Sequence, residues 1–356
     1  KRNVSYKFNL TNDIDNFEVQ IKYNGVGKLN IYSITVHKNN TFFKLLILIY
    51  LFIFLFSDIY VFYYKKINEN KEVLLSLLII SFLTSLPLMV RGINYGHDLG
   101  VHLMRIEGIS KEISIGNIPV RNSSLWIDGY GYPISIYYGD ALLYVPAILR
   151  LFGVSVITSY KIYIFTINLL TAFICYYSFN KIFKNHKIAL FTSLVYCTAP
   201  YRLSNIYVRA AVGEYSAMCF FPLILAAVYL IYKQKDNDWK SLTSNAILLA
   251  LGMTGVIESH ILSTEMVIVF LLLLCIVMFK KTVKIYTIAA YILSAVMVVL
   301  LCLSFIVPFL DYYINVPVKI NDTVSGDIPK KFNQVEYILH SCLTFFLHHL
   351  ENIVIV

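Results

Sequence analysis

YKIYIFTINLLTAFICYYSFN (residues 160–180) carries a single lysine and no other charged side chain, over about the 20 residues an α-helix needs to cross a bilayer. Seven more apolar runs surround it, at about 43–64, 72–90, 188–200, 215–232, 245–257, 261–279 and 285–307. The whole chain agrees with the pattern: 58% of residues are apolar and 14% charged, against roughly 45–50% and 25% in soluble domains. With 28 Tyr, 24 Phe and a mean hydropathy of +0.67, too little polar surface remains to cover such a chain in water. The expected fold is an all-α polytopic membrane bundle of about eight transmembrane helices. Soluble enzymes and free nucleic-acid-binding domains are excluded, and no nucleic acid is expected as a partner.

The formal net charge of +9 is parcelled into short links. KKINENK (65–71), KIFKNHK (181–187), KQKDNDWK (233–240) and KKTVK (280–284) hold twelve lysines and no arginine. The positive-inside rule assigns these four links to the cytoplasm. Residues 1–42, the long loop 91–159, the turns near 201–214 and 258–260 and the tail 308–356 then fall outside. The expected location is the cell membrane, with multiple passes and an extracytoplasmic active face. FEVQIKY (17–23), the turn signal Asn24-Gly25 and KLNIYSITV (28–36) predict a β-hairpin. The organisation is therefore a partial extracytoplasmic β-segment (1–42), a transmembrane bundle (43–307) with external loop 91–159, and an extracytoplasmic or interfacial tail (308–356). A start at Lys1 and an end at NIVIV lead us to expect a piece of a longer protein. Six cysteines without CxxC spacing predict neither a disulfide framework nor a metal knuckle.

Depth identifies the candidate residues. The run 188–200 covers only about 21 Å between Lys187 and Tyr201, less than the roughly 30 Å of hydrocarbon. Tyr201, Arg202, Asn205, Arg209 and Glu214 should therefore begin below the outer headgroups. The run 245–257 has the same expected defect, at about 20 Å before Glu258, Ser259 and His260. A lone charge at such depth costs at least about 2.5–3.5 kcal/mol and is retained where it lines a cavity or is paired. We expect an outward-facing polar cavity. Two plainer readings stand beside it: Arg202 and Arg209 snorkel to lipid phosphates while Glu214 pairs with one of them, and Glu258 with His260 plugs a helix break. Glu265 serves equally as an interhelical hydrogen-bond partner.

Loop 91–159 is too polar to cross and too rich in Tyr, Ile and Leu to float, so it should lie along the interface. From Asp98 to Ile113 the spacing is helical: Asp98, His102 and Arg105 share one face, and Leu99, Leu103, Ile106 and Ile113 another. That pattern predicts an interfacial amphipathic helix. Asp98 is either its N-cap or, opposite Arg202 and Arg209, a base facing a phosphate-binding pair. Tyr132 and Tyr138, beside Trp126, suit either sugar faces or an interfacial aromatic belt. Asp140 reads as a second acid or as a helix cap. No metal-ligand spacing occurs, and a divalent metal is the one cofactor this chemistry leaves open. Asp236-Asn237-Asp238 lies in a short link, and His340, His348 and His349 on a membrane-surface anchor.

At GHDLGVHLMRIEGI (96–109), GNIPVR (116–121), GYGYPISIYYG (129–139) and YRLSNIYVRAAVGEYSA (201–217), the chain resembles bacterial polytopic membrane proteins labelled "6-pyruvoyl-tetrahydropterin synthase-related". It is also similar to the wider GT-C class of membrane glycosyltransferases, including the YfhO-like branch. The resemblance implies a first external loop with an essential acid, here Asp98, meeting a polyprenyl-phosphate sugar donor. The expected function is a membrane glycosyltransferase of the cell envelope. Asp98 is its general base, and His102, Arg105, Arg202, Arg209, Glu214, Glu258, His260, Tyr132 and Tyr138 bind substrate. Its partners are a lipid-linked sugar donor, membrane lipids and an extracytoplasmic glycan or lipid acceptor. The alternatives are a transporter or flippase of a lipid-linked saccharide and a non-catalytic membrane assembly protein.

Overall fold

The computed structural model describes residues 69–316 apart from Arg91, Asn94, Tyr95 and Asp236. The expected span 43–64, the β-segment 1–42, the first residue of the Asp236-Asn237-Asp238 motif, the terminal histidines and the tail beyond Val316 lie outside these residues. The chain divides into two compact units, Lys1–Ile67 with Leu88–Ile93 and Asn68–Pro87 with Asn94–Val356; the helical bundle belongs to the second. Its elements are α1 (Glu69–Ser85), α2 (Leu99–Ser114), α3 (Tyr144–Leu151), α4 (Val156–Phe183), α5 (His186–Cys197), α6 (Val212–Met218), α7 (Phe221–Lys233), α8 (Trp239–Ile257), α9 (Ile261–Val277), α10 (Ile285–Leu301) and α11 (Leu303–Asn315). No strand occurs among the described residues.

Four helices are long and apolar enough to cross a membrane: Lys71–Met89, Val156–Phe183, Val212–Lys233 and Trp239–Ile257. A fifth is added if α10 and α11, bent by 79° at their junction, count as one span. This fits a membrane protein. Among the described residues these four or five are the helices that meet that test, and a count of eight is not confirmed. The run 285–307 is broken at Cys302, and Pro308 lies inside the second arm.

The two runs expected to be short differ. The run 188–200 does stop short: α5 ends at Cys197 after 12 residues, and Pro200 opens a separate turn, Pro200–Ser204. The run 245–257 is not short, because α8 starts at Trp239 and extends for 19 residues, about 28 Å. Polar side chains hid that start. The Asp238 carboxylate caps the helix by accepting from the Ser241 N–H at 3.0 Å, Thr243 donates back to the Trp239 carbonyl, and Asn245 donates to Gln234. Each polar group is satisfied locally, so the helix runs on through residues that a hydropathy window rejects.

Among the described residues the core has apolar clusters joining α1, α4 and α5 around Leu77, Cys175 and Cys197, joining α7, α8 and α10 around Ile224, Leu249 and Ala290, and gathering Ile257, Cys302 and Phe305. Small residues set the close approaches. A Cβ at Gly252 would lie 2.7 Å from Ile224 Cγ1, and Ser294 donates to the Ala246 carbonyl across α10 and α8. Outward, Phe191, Leu272, Ile276 and Ile292 are exposed, a surface suited to lipid rather than water.

Arg202, expected among the site residues, instead turns into the core. It is fully buried and donates to Asn168 Oδ1 at 2.8 Å, Thr171 Oγ1 at 3.0 Å and the Cys197 carbonyl at 3.2 Å. Asn168 in turn donates to Ser85, so one guanidinium ties α4, the end of α5 and the end of α1. Arg202→Met should orphan these buried acceptors at about 1–3 kcal/mol each, lowering the unfolding temperature in detergent; an unchanged temperature would show that the network contributes nothing.

Candidate functional site

The bundle ends remote from the lysine-rich links converge, and the backbone joins them first. The Asp98 N–H donates to the Arg209 carbonyl at 2.9 Å and the His97 N–H to that of Val208 at 3.3 Å. This contact needs a residue without a side chain, since a Cβ at Gly96 would sit 2.7 Å from that of Ala210. On the opposite side, a Cβ at Gly139 would fall 2.4 Å from the Glu258 carbonyl carbon, and one at Gly213 would strike the Tyr138 hydroxyl at 2.2 Å. Loop 91–159 is thereby pressed against 205–214 and 258–260.

Asp98 stands at the start of α2, yet its carboxylate makes no capping bond. The residue is exposed, and among the described residues its carboxylate accepts no hydrogen bond and forms no ion pair, while its carbonyl accepts from the His102 N–H at 3.2 Å. The capping account of this aspartate is therefore not what the structure displays. His102 and Arg105, expected on the polar face of an interfacial helix and among the substrate-binding residues, are 2% and 1% exposed. Periodicity correctly paired them on one stripe, but that stripe faces inward.

Arg105 donates through Nη2 to the Tyr138 carbonyl at 3.0 Å and the Gly139 carbonyl at 2.9 Å, and its Cζ lies 4.1 Å above the Tyr138 ring. Its Nε and Nη1 have no hydrogen-bond partner, nor has His102 Nδ1. The Tyr138 ring lies between two histidines, with centroids 5.9 Å from both His102 and His260. Burial, with Arg105 and His260 beside it, lowers the His102 pKa to about 3, so this imidazole is neutral throughout the physiological range. Burial also lowers His260, whose Nδ1 is engaged at the start of α9 by Ser263.

Arg209 and Glu214 form an ion pair of 2.8 Å in which the arginine side chain stays 40% exposed. Asn205 bridges the two, accepting from Arg209 at 2.7 Å and donating to Glu214 at 3.0 Å, and the Tyr201 hydroxyl donates to the same carboxylate. Arg202 and Arg209 are seven residues apart, which in a regular α-helix puts them on one face. Here a π-turn over Asn205–Arg209 inserts an extra residue and rotates the downstream chain by about 100°. One arginine goes into the core and the other to the surface. The chain leaves that turn through Ala210 at φ 54°.

Of the ten candidates, the structure groups Asp98, His102, Arg105, Tyr138, Arg209, Glu214, Glu258 and His260 at one end of the bundle. Arg202 lies inward of them. Tyr132 belongs to the loop, where it exchanges backbone hydrogen bonds with Ser123 and its ring lies 5.5 Å from Trp126. Asp140 and Arg121 join the group although the sequence signals them weakly. The Asp140 carboxyl accepts from Ser135 and is pushed up by burial, while its Oδ2 is buried without a partner; it does not cap the short turn Ala141–Leu143. Among the described residues no cluster of His, Cys, Asp and Glu is arranged to hold a metal ion.

Compared with known protein families, curated proteins and solved structures, the chain matches none of them.

Glu258 supplies a pH test. Burial, then the Asp140 charge, raises its pKa from 4.5 to about 7. The folded state thus retains a proton that the unfolded chain releases, and stability declines as the pH rises from the unfolded to the folded pKa. Glu258→Gln should leave the unfolding temperature nearly unchanged near about pH 4 and raise it relative to the native protein near about pH 8. A constant difference across that range would contradict this assignment.

Proposed function

We propose that the chain is a membrane glycosyltransferase that moves a sugar from a polyprenyl-phosphate donor to a hydroxyl of an extracytoplasmic glycan or lipid acceptor. The observation that carries the reading is Asp98: a carboxylate exposed at a helix start, not spent on capping, and held by its own backbone beside Arg209. In the proposed step the acceptor hydroxyl oxygen attacks the anomeric carbon as Asp98 takes its proton. The bond from that carbon to the phosphate oxygen breaks, and the phosphate leaves with the electron pair toward Arg209. Arg209 has the required reach, since it is partly exposed and anchored through a single nitrogen by Glu214 and Asn205. His102 is kept neutral and Tyr138 is fixed, so both can accept or donate to sugar hydroxyls. The resemblance to GT-C enzymes at residues 96–109, 129–139 and 201–217 supports the same reading, as do the lysine-rich links for an extracytoplasmic site.

One observation favours a non-catalytic assembly role: Arg202 is consumed by the core and Arg209 is already paired. Protein reconstituted in nanodiscs with polyprenyl-phosphate sugars separates the two. Asp98→Asn should reduce transfer by about 10²-fold or more without lowering the unfolding temperature. Undiminished transfer by that variant rejects the mechanism, and no transfer by the native protein with any such donor favours the assembly role.

A further inference from the structure

α2 buries polar side chains, and both α2 and α3 turn apolar ones outward. The side of α2 facing the protein buries His102, Arg105, Ser110 and Glu112 together with Leu99, Ile106 and Ile109. Its outward side presents Val101 and Met104, each 43% exposed. α3 packs against α2; it buries the apolar Pro146 and Ala147 and also exposes apolar side chains, Val145, Ile148, Leu151 and Phe152. A helix at a water-facing surface carries its polar stripe outward; the outward side of each of these is largely apolar instead.

We infer that the α2–α3 pair is seated in the bilayer, its outer stripe in contact with the acyl chains of one leaflet. Three observations choose lipid over any other cover. First, the two charged residues between these helices neutralise each other, Arg150 Nε donating to Glu107 Oε1 at 2.9 Å, which is how charges persist at membrane depth. Second, the stripe runs on through the turn at Gly153 into α4, a helix long enough to span, whose exposed side continues with Ile162, Phe165 and Phe173. Third, Lys111 is exposed in the last turn of α2, the one long cation on the outward side, placed at a helix end from which an ammonium snorkels to headgroups. At 16 and 8 residues the helices are about 24 and 12 Å long, too short to cross, so they occupy a single leaflet. This differs from an interfacial amphipathic helix, whose polar face meets water. Here that face meets the protein.

The inference rests on the membrane reading of the bundle and is independent of sugar transfer. It is tested with the full chain in vesicles of phosphatidylcholine brominated along the acyl chains, in a background where Trp126 and Trp239 are replaced by Phe. Met104→Trp and Ile148→Trp should each lose more than half of their emission to the brominated lipid and little to aqueous acrylamide. Phe173→Trp, on the spanning helix α4, reports the membrane reading separately. Quenching of Phe173→Trp alone overturns the inference and leaves the bundle in the membrane; quenching of none of the three by lipid rejects both. Quenching of the α2 and α3 probes by acrylamide places the pair in water, and by neither agent under a protein cover, and either result overturns the inference. Should tryptophan disturb the fold, a diazirine on a lipid tail makes the same distinction in the unsubstituted protein: carbene adducts on peptides holding Met104 and Ile148 support the seating, and adducts confined to the spanning helices overturn it.

Discussion

A buried guanidinium held by backbone carbonyls is the constraint on which the polar end of this bundle depends. Removing an arginine from water is costly unless its donors and its charge are both answered. Arg105 is answered in part by three successive residues: Tyr138 and Gly139 accept from Nη2, the Tyr138 ring lies under the guanidinium plane, and Asp140 supplies negative charge nearby, while Nε and Nη1 stay without a hydrogen-bond partner. Because these residues are consecutive, one side chain fixes both the position and the orientation of the loop. The Tyr138 ring is then set between two imidazoles and its hydroxyl against Gly213, and Gly139 is seated on the end of α8.

The charges at this end fall into classes by environment. Arg202 lies among amide, hydroxyl and carbonyl acceptors, in a core where a carboxylate would bring its own desolvation cost. Arg209 and Glu214 remain near the surface, where water shares the work and the pair keeps freedom to rearrange. Asp98 alone combines exposure with a carboxylate that no described neighbour engages. Such a distribution leaves one uncommitted carboxylate beside one adaptable guanidinium, which is why the catalytic reading centres on these two rather than on the more deeply buried groups.

Much of the architecture was legible because hydropathy reports length. The run 160–180 lies inside α4, the helical spacing from Asp98 to Ile113 foretells α2 within a residue at each end, and the shortness of the run before Pro200 is real. Three things were not legible. The start of α8 was concealed by Ser241, Thr243 and Asn245, whose polarity is spent within their own turn or on Gln234. The facing of α2 was read as that of an interfacial amphipathic helix with its polar stripe outward, although periodicity identifies stripes and cannot say which one meets the protein. The separation of Arg202 from Arg209 arises from one extra residue in a π-turn, a feature for which NIYVR carries no evident compositional sign. Asp140 and Glu258 are far apart in sequence and become neighbours only through the glycine that lets their backbones touch.

That glycine contact has a mechanical side. With no side chain between Gly139 and the Glu258 carbonyl, the end of α8 meets the loop as one hard surface meets another. An axial advance of α8 has no soft layer in which to dissipate and is passed on to Gly139, hence to the tyrosine ring and the arginine above it. A helix long and apolar enough to cross a membrane and the loop that meets its end are in this way joined without a compliant layer between them.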